Sequence, residues 1–403
     1  MIRNWFKNIG PGPLVAAAFI GPGTVTVCTI AGVNHGFTLL WAMLLSIVAT
    51  VVLQEMSARL GIVSQKGLSE VIRTEIPNPF FKNLAIILML SAIVIGNAAY
   101  EAGNISGGVL GLEALTGGAN EYGSIWSILI GGLAFVLLFI GNYKILEKAL
   151  IILVVLMSLA FFITAILTKP DLALIFKGLF TPNFSNDSIL TVIALVGTTV
   201  VPYNLFLHAA LVKEKWKNTS DLSYARKDTI IAVVLGGIVS MCIIISAAAI
   251  KDVEVTNAAD LAKGLEPLFG NYAKYFLSIG LFAAGITSAI TAPLAAAYVA
   301  TGCLGWSSNM TSFKFRLVWM FILGLGVLFS SIGFKSIEII KFAQITNGLL
   351  LPLIAGFLLW VMNKPSVLGA YKNAVIQNVF GSLIFGIALF LGVKSILKVF
   401  GIL

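Results

Sequence analysis

Long apolar runs without charge constrain this chain more than any other feature of its sequence. Residues 149–167 and 229–250 contain no charged side chain. A helix needs about 20 mostly apolar residues to cross the hydrocarbon core of a bilayer, so both runs are predicted to span a membrane. The chain is 59% hydrophobic and 11% charged, whereas soluble domains carry about 25% charged residues. Soluble enzymes, nucleic-acid-binding proteins and disordered scaffolds are therefore excluded.

Eleven membrane-spanning helices, numbered spans 1 to 11, are predicted along the chain. They cover residues 11–33, 37–53, 84–112, 124–140, 149–167, 188–212, 229–250, 275–306, 317–333, 342–362 and 375–397. The polar stretches between spans are short, so residues 1–403 are predicted to form a single all-α integral membrane domain. The sequence shows no Ser-His-Asp spacing, no cluster of histidines and cysteines and no glycine signature of an ion filter. We therefore expect neither an enzyme nor a bound cofactor.

The positions of Lys and Arg predict the orientation of the chain, because cytoplasmic loops are enriched in these residues. Residues 213–227 hold the densest cluster, and the segments after spans 1 and 3 hold neither Lys nor Arg. This distribution places the N-terminus in the cytoplasm. The net charge of +9 is then explained by membrane topology. We expect a multi-pass protein of the plasma membrane.

Two spans are interrupted near their middle by residues that break helices. Span 1 contains Gly21-Pro22-Gly23-Thr24, and span 6 contains GTTVVPYN at residues 197–204. Breaks at this depth free backbone groups that need protein or a water-filled cavity around them. The breaks lie five spans apart, an odd number, so the second five spans would be inserted upside down relative to the first.

Matched breaks of this kind indicate a secondary transporter built from inverted repeats. Repeat one is predicted at about residues 11–168, repeat two at about 188–362, and an extra helix at about 375–397. Single Gly or Pro residues can also simply kink a membrane helix, and this is the alternative explanation of the two breaks.

Four stretches of the chain resemble the NRAMP divalent-metal transporters. LLWAMLLSIVATVVLQEMSARLGIVSQKGLSEV, residues 39–71, resembles the second helix and following loop of that family. VGTTVVPYNLFLHAALV (196–212), GITSAITAPLAAAYV (285–299) and QITNGLLLP (344–352) resemble its sixth, eighth and tenth helices. The resemblance implies a LeuT-type fold, alternating access, and a substrate site between the broken centres of spans 1 and 6.

The metal-binding motifs of the NRAMP family are altered in this chain. The family carries Asp-Pro-Gly-Asn in its first helix and Met-Pro-His in its sixth. By resemblance, the Asp and Asn positions are Gly21 and Thr24, and the Met and His positions are Val201 and Tyr203. Glycine supplies no side-chain ligand, valine has no lone pair, and tyrosine offers a neutral phenol.

The predicted pocket consequently carries no formal negative charge. Thr198 matches a carbonyl ligand of the family and Gln344 a side chain near its metal, while Gly23 and Asn204 complete the pocket. Removing the water shell of a divalent ion costs more free energy than its interaction with a few neutral dipoles provides. We therefore expect no metal held by the usual ligands.

The neutral pocket instead favours a small polar organic solute, such as a carboxylate or an amino acid. Free N–H groups and the positive dipole end of the second half of span 1 would bind its carboxylate. The alternative, which the resemblance implies, is a magnesium or manganese ion that keeps part of its water shell. A non-transporting sensor and a channel stay open as further alternatives.

Ionisable residues inside spans are costly and are by default functional. Glu101 in span 3 is the best such residue, and the resemblance matches it to an acid of the family. An alternative register puts Asn97 or Ala98 at that position. Arg316, at the start of span 9, is predicted to be the partner of Glu101.

Transport is predicted to be coupled to a gradient of either protons or sodium ions. His208 in span 6, which resembles a second histidine of the family, would suit a proton relay. Thr287 and Ser288 in span 8 resemble the hydroxyl pair that LeuT-type carriers use for sodium. Glu55 and Arg59 are spaced i, i+4, so they are predicted to form a structural ion pair.

Overall fold

A computed structural model of the chain describes residues 20–116, 123–141, 144–183, 187–250 and 253–399. The regular structure of these residues is helical throughout. The α-helices are α1 Pro22–His35, α2 Leu40–Ser64, α3 Leu68–Glu75, α4 Pro79–Thr116, α5 Gly123–Ile140, α6 Lys144–Leu167, α7 Leu172–Phe180, α8 Ile189–Thr199, α9 Pro202–Lys215, α10 Leu222–Ala247, α11 Ala258–Ala262, α12 Glu266–Phe269, α13 Ala273–Leu304, α14 Phe313–Ser330, α15 Ser336–Met362, α16 Pro365–Leu368 and α17 Val375–Val399.

The protein is a multi-pass membrane protein. Ten helical stretches of the described residues are long and apolar enough to span a bilayer, and they coincide with predicted spans 2 to 11. The second half of span 1 lies in α1, which has 14 residues and extends two residues beyond the predicted end of the span. Residues 11–19 of span 1 lie outside the described part. Large apolar side chains cover the outside of the bundle, where lipid takes the place of water; Ile166 is 62% exposed and Val375 81% exposed.

The breaks in spans 1 and 6 are narrower than the sequence predicts. Gly21 is extended (φ −100°, ψ −175°), and α1 begins at Pro22, so Gly23 and Thr24 are already helical. In span 6, α8 ends at Thr199 and α9 begins at Pro202. Between them, Val200 leaves the helical conformation (φ −94°, ψ 73°) and Val201 is extended (φ −77°, ψ 118°). Proline lacks an N–H, which fits the first turn of a helix, where that group has no intrahelical partner. Each helix therefore starts at its proline.

Two short helices lie in stretches that the sequence analysis assigns to polar connections. The helix α3 buries Leu68, Val71 and Ile72 on one face. The helix α7 starts after Asp171, whose carboxylate accepts hydrogen bonds from the backbone N–H groups of Ala173 and Leu174. Both helices are under ten residues long, too short to be recognised as spans.

Candidate substrate site

The broken centres of spans 1 and 6 lie side by side. The hydroxyl oxygens of Thr24 in α1 and Thr198 in α8 are 2.7 Å apart and hydrogen-bonded. Both side chains are buried, with exposed fractions of 1% and 0%. The structure thus brings together two polar residues of the predicted pocket that are 174 positions apart in the chain.

Gln344 of α15 forms the third side of this site. A Cβ atom added to Gly23 would lie 2.1 Å from Nε2 of Gln344, and one added to Gly197 would lie 1.9 Å from the backbone oxygen of Gln344. The neighbour of Gly197 is backbone, so only glycine permits α8 to approach α15 so closely, whereas the neighbour of Gly23 is the end of a flexible side chain. The Oε1 atom of Gln344 is buried and has no hydrogen-bond partner among the described residues.

Backbone carbonyls add to the oxygen atoms at this site. Pro202 has no N–H, so the carbonyl of Thr198 lacks the donor that helix geometry would place four residues on. Pro352 has the same effect on the carbonyl of Gly348 in α15. The oxygen atoms available to a substrate therefore come from hydroxyl, amide and carbonyl groups.

Asn204, Tyr203 and Val201 line the start of α9. The amide nitrogen and oxygen of Asn204 are both buried without a hydrogen-bond partner in the described part of the chain. The ring of Tyr203 packs edge-on against Tyr100 of α4, with ring centres 5.2 Å apart. Val201 is buried and offers no ligand atom from its side chain.

The described residues contain no group of three or more His, Cys, Asp and Glu side chains that could hold a metal ion. The site is thus neutral as far as the structure describes it. A cation bound here would rely on neutral oxygens and on water molecules of its own shell, and an anion would find N–H groups at the start of α1 and α9.

His208 lies further along α9 in a polar pair that the sequence analysis missed. Its Nδ1 atom is 2.6 Å from Oε1 of Gln54 in α2, and its Nε2 atom is 3.4 Å from Oγ1 of Thr229 in α10. The Thr229 hydroxyl donates to the carbonyl of Ala225, so its oxygen can accept a bond from Nε2. An imidazolium could then donate to both neighbours, while neutral imidazole would keep the bond to Gln54.

Gln54 could have been identified as a candidate from its position alone. It is an uncharged polar residue that directly follows the apolar sequence of span 2, and it is buried. Its pairing with His208 joins residues 154 positions apart, which no local pattern indicates.

Glu101 is fully buried, and Arg316 is not its partner. The Oε2 atom of Glu101 accepts a hydrogen bond from Asn104 at 3.3 Å, and Oε1 has no partner among the described residues. A Cβ atom added to Gly326 of α14 would lie 2.3 Å from Cγ of Glu101. Arg316 lies ten residues before Gly326, or about 15 Å along the helix, and its guanidinium stacks 4.6 Å from the ring centre of Phe139. The predicted pairing is therefore wrong.

Thr287 and Ser288 of α13 do not form a hydrogen-bonded pair. Thr287 donates its hydroxyl hydrogen to the carbonyl of Ala283. The Ser288 hydroxyl is buried without a partner in the described residues. Their role as a sodium site stays a prediction.

The predicted ion pair between Glu55 and Arg59 is confirmed, with a distance of 3.1 Å. Arg226 of α10 also contacts Glu55, at 2.8 Å. Arg59 in addition donates to the side chain of Asn373, which precedes α17. This network ties α2 to α10 and to the start of α17, which is a structural role.

Comparison with known proteins yields one family and a consistent set of structures. The family profile described as "Natural resistance-associated macrophage protein-like" (Nramp) matches residues 12–398. The divalent metal cation transporter MntH of Verminephrobacter eiseniae is 26% identical over 407 residues, covering 98% of this chain and 89% of that protein.

Solved structures share the fold of the chain. A manganese transporter from Eremococcus coleocola superposes with a TM-score of 0.80 at 21% identity, over 98% of this chain and 87% of that one. MhsT, solved in complex with L-phenylalanine, superposes with a TM-score of 0.58 at 17% identity, over 96% of this chain and 98% of that one. The chain therefore has the all-α LeuT-type fold that the sequence predicts, whereas the boundaries of its two repeats stay predictions.

Proposed function

Because this chain belongs to the natural resistance-associated macrophage protein-like (Nramp) family, we propose that it is a secondary transporter that carries a divalent metal cation by alternating access. Its relatives include a divalent metal cation transporter and a manganese transporter, and they support this substrate class. They also support transport, and not catalysis, as the activity of the chain.

The oxygen-only composition of the site narrows the proposed substrate to hard cations. Thr24, Thr198 and Gln344 provide oxygen ligands, and Val201 provides none. Magnesium prefers oxygen ligands and usually keeps several of its waters, and manganese accepts the same set. Late transition metals gain more from thiolate, thioether or imidazole ligands. We therefore propose Mg²⁺ or Mn²⁺, bound with part of its hydration shell.

A small polar organic solute is the second candidate, and the missing negative charge favours it. Gly21 offers no carboxylate, and the N–H groups at the start of α1 and α9 would suit a substrate carboxylate. The partial charge at a helix start is equivalent to about +0.5, which attracts an anion and repels a cation. The helix starts thus favour an anion, whereas the oxygen ligands favour a cation, so an experiment has to separate the two substrate classes.

A thermal-shift titration separates them. A ligand that binds only the folded protein stabilises it by RT ln(1 + [L]/Kd), about 2.7 kcal/mol at 100 times Kd. We expect Mg²⁺ and Mn²⁺ to raise the melting temperature of the purified protein, and the Thr24→Val variant to lose most of this response. Stabilisation by amino acids or small carboxylates, with no response to either cation, would replace the first candidate by the second.

We propose protons as the coupling ion, with Glu101 and His208 as their binding groups. Glu101 is a buried carboxyl group that lacks a cationic partner in the described residues. Protonation would remove the free-energy cost of burying it as a charged carboxylate. The neighbours of His208 accommodate both of its protonation states. Sodium at Thr287 and Ser288 is the alternative.

Replacing Glu101 with Gln should uncouple transport from the pH gradient. Glutamine keeps the shape and the contact with Asn104 but cannot take up a proton. In proteoliposomes, we expect uptake by this variant to be the same with and without an inward proton gradient, while the wild type is stimulated. Glu266→Gln, an exposed substitution in the first turn of α12, serves as the control. A variant that keeps the stimulation would exclude Glu101 as the proton-binding group.

We further propose that the protein resides in the plasma membrane with its N-terminus in the cytoplasm. The cluster of Lys and Arg at residues 213–227 supports this orientation. In this orientation, α8 would lie in the outer half of the membrane and α9 in the inner half.

A further inference from the structure

A cavity apart from the substrate site lies between α4, α14 and α15. Its volume is about 670 Å³, within the range of about 300–1,000 Å³ that is typical of sites for drug-sized molecules. Small side chains of α4, among them Ala98, Ala99 and Ala102, form one wall and leave the space open. The lining is apolar except for a single ionisable residue.

That ionisable residue is Glu338, in the first turn of α15. Its side chain is exposed and makes no ion pair or side-chain hydrogen bond within the described residues. Lys335 and Lys341 lie three positions away, and neither comes within ion-pair distance of it. A carboxylate without a counter-charge therefore borders an apolar cavity.

Three phenylalanines line the same cavity. Phe329 lies one residue before the end of α14, Phe334 lies in the connection between α14 and α15, and Phe342 follows Glu338 by one turn of α15. They are 44%, 64% and 64% exposed, so their rings are accessible to a ligand. The faces of aromatic rings attract organic ammonium groups, and a carboxylate adds a full opposite charge.

We propose that this cavity binds a lipophilic organic ammonium ion that enters from the surrounding bilayer. The ammonium group would lie near Glu338 and the phenylalanine rings, and the apolar body of the ligand against the alanine wall of α4. A bare metal ion does not fit, because one carboxylate in an apolar lining cannot replace its water shell. An anion is disfavoured by the charge of Glu338.

Occupancy of the cavity should also slow transport. Two wall residues, Ala98 and Ala102, lie within one turn of Glu101 on α4, and α15 carries Gln344 of the substrate site. A bound ligand would hold α15 at a fixed distance from α4 and α14. This consequence rests on the proposed transport function, whereas the binding itself does not.

The binding is tested with the protein in lipid nanodiscs. The probe is tritiated 4-phenylbutyl-trimethylammonium, and the competitor is its uncharged isostere, in which a carbon atom replaces the ammonium nitrogen. We expect saturable binding of the probe, at least about tenfold stronger than that of the isostere. Glu338→Gln should weaken binding of the probe at least about tenfold, because glutamine keeps the size and the helix-start position but removes the charge. The control Glu266→Gln, also in the first turn of a helix, should bind like the wild type.

A second variant tests the cavity independently of the charge. Ala99→Phe fills the space and should abolish saturable binding, provided that the variant still elutes as a monodisperse species. Binding no greater than to protein-free nanodiscs would mean that the cavity holds only lipid chains, and would overturn the proposal. Equal affinity of the wild type and Glu338→Gln would overturn it as well. Neither result depends on whether the protein transports metal.

Discussion

Proteoliposomes that contain the Gln344→Leu variant should take up Mg²⁺ or Mn²⁺ about 10- to 150-fold more slowly than the wild type at subsaturating cation. Leucine conserves the volume but removes Oε1, the buried atom that lacks a partner among the described residues. A polar contact to a charged group contributes about 1.5–3 kcal/mol, and each 1.4 kcal/mol is a factor of ten. Initial uptake rates over a range of cation concentrations measure the effect.

The converse substitution should strengthen cation binding. Gly21→Asp places a carboxylate where the family resemblance expects one, and Asp is favoured at a helix N-cap, the position that Gly21 occupies. We expect tighter binding of Mn²⁺, measured by calorimetry. Thr116→Val, at the exposed end of α4, is the control variant and should bind Mn²⁺ like the wild type. If Gly21→Asp left cation binding unchanged, and Gln344→Leu left uptake unchanged, the cation would not bind between α1, α8 and α15.

Gly197→Val should abolish uptake almost completely. A Cβ atom at this position would lie 1.9 Å from the backbone oxygen of Gln344 and 2.8 Å from the backbone nitrogen of Gly348. Backbone atoms cannot rotate away as a side chain would, so α8 would be pushed from α15 by an ångström or more. Overpacking of this kind typically costs about 1–3 kcal/mol. It would also keep α8, the first half of span 6, from packing against α15 in span 10.

Uptake rate and melting temperature are measured together for this variant. Gly324→Val in α14 is the matched control, because an added Cβ there meets no atom within 4 Å and faces open space. We expect normal uptake and stability from the control. Normal uptake by Gly197→Val would show that the close contact between α8 and α15 is not needed in the transport cycle.

The sequence was sufficient to predict spans 2 to 11 and the location of the two breaks. Apolar length identifies a span without knowledge of its neighbours, and Pro22 and Pro202 fix the residues at which helices begin. The extent of each break was overestimated, since Gly23, Thr24 and Thr198 are helical. A membrane helix accommodates glycine and threonine when neighbouring helices satisfy their polar groups. A local sequence pattern does not predict which helices those neighbours are.

The candidate site was predicted in part. Proximity of Thr24 and Thr198 followed from the resemblance to the Nramp family, but the contact of Gln344 with Gly23 depends on how α15 packs. The predicted pairing of Arg316 with Glu101 was wrong, because assigning a residue to a span does not fix its depth in the membrane. The two residues lie at different heights in the bundle. The contact of His208 with Gln54, and the cavity beside Glu338, arise from packing between distant segments.

Uptake by the wild-type protein in proteoliposomes tests the central claim most directly. Liposomes loaded with a fluorescent indicator of Mg²⁺ or Mn²⁺ are exposed to the cation outside, with and without an inward proton gradient. Parallel vesicles receive radiolabelled amino acids and small carboxylates. The expected result is saturable cation entry above protein-free vesicles, and no entry of the organic solutes beyond that background. Saturable entry of an organic solute without any cation flux would contradict the claim and establish the neutral pocket as a site for that solute.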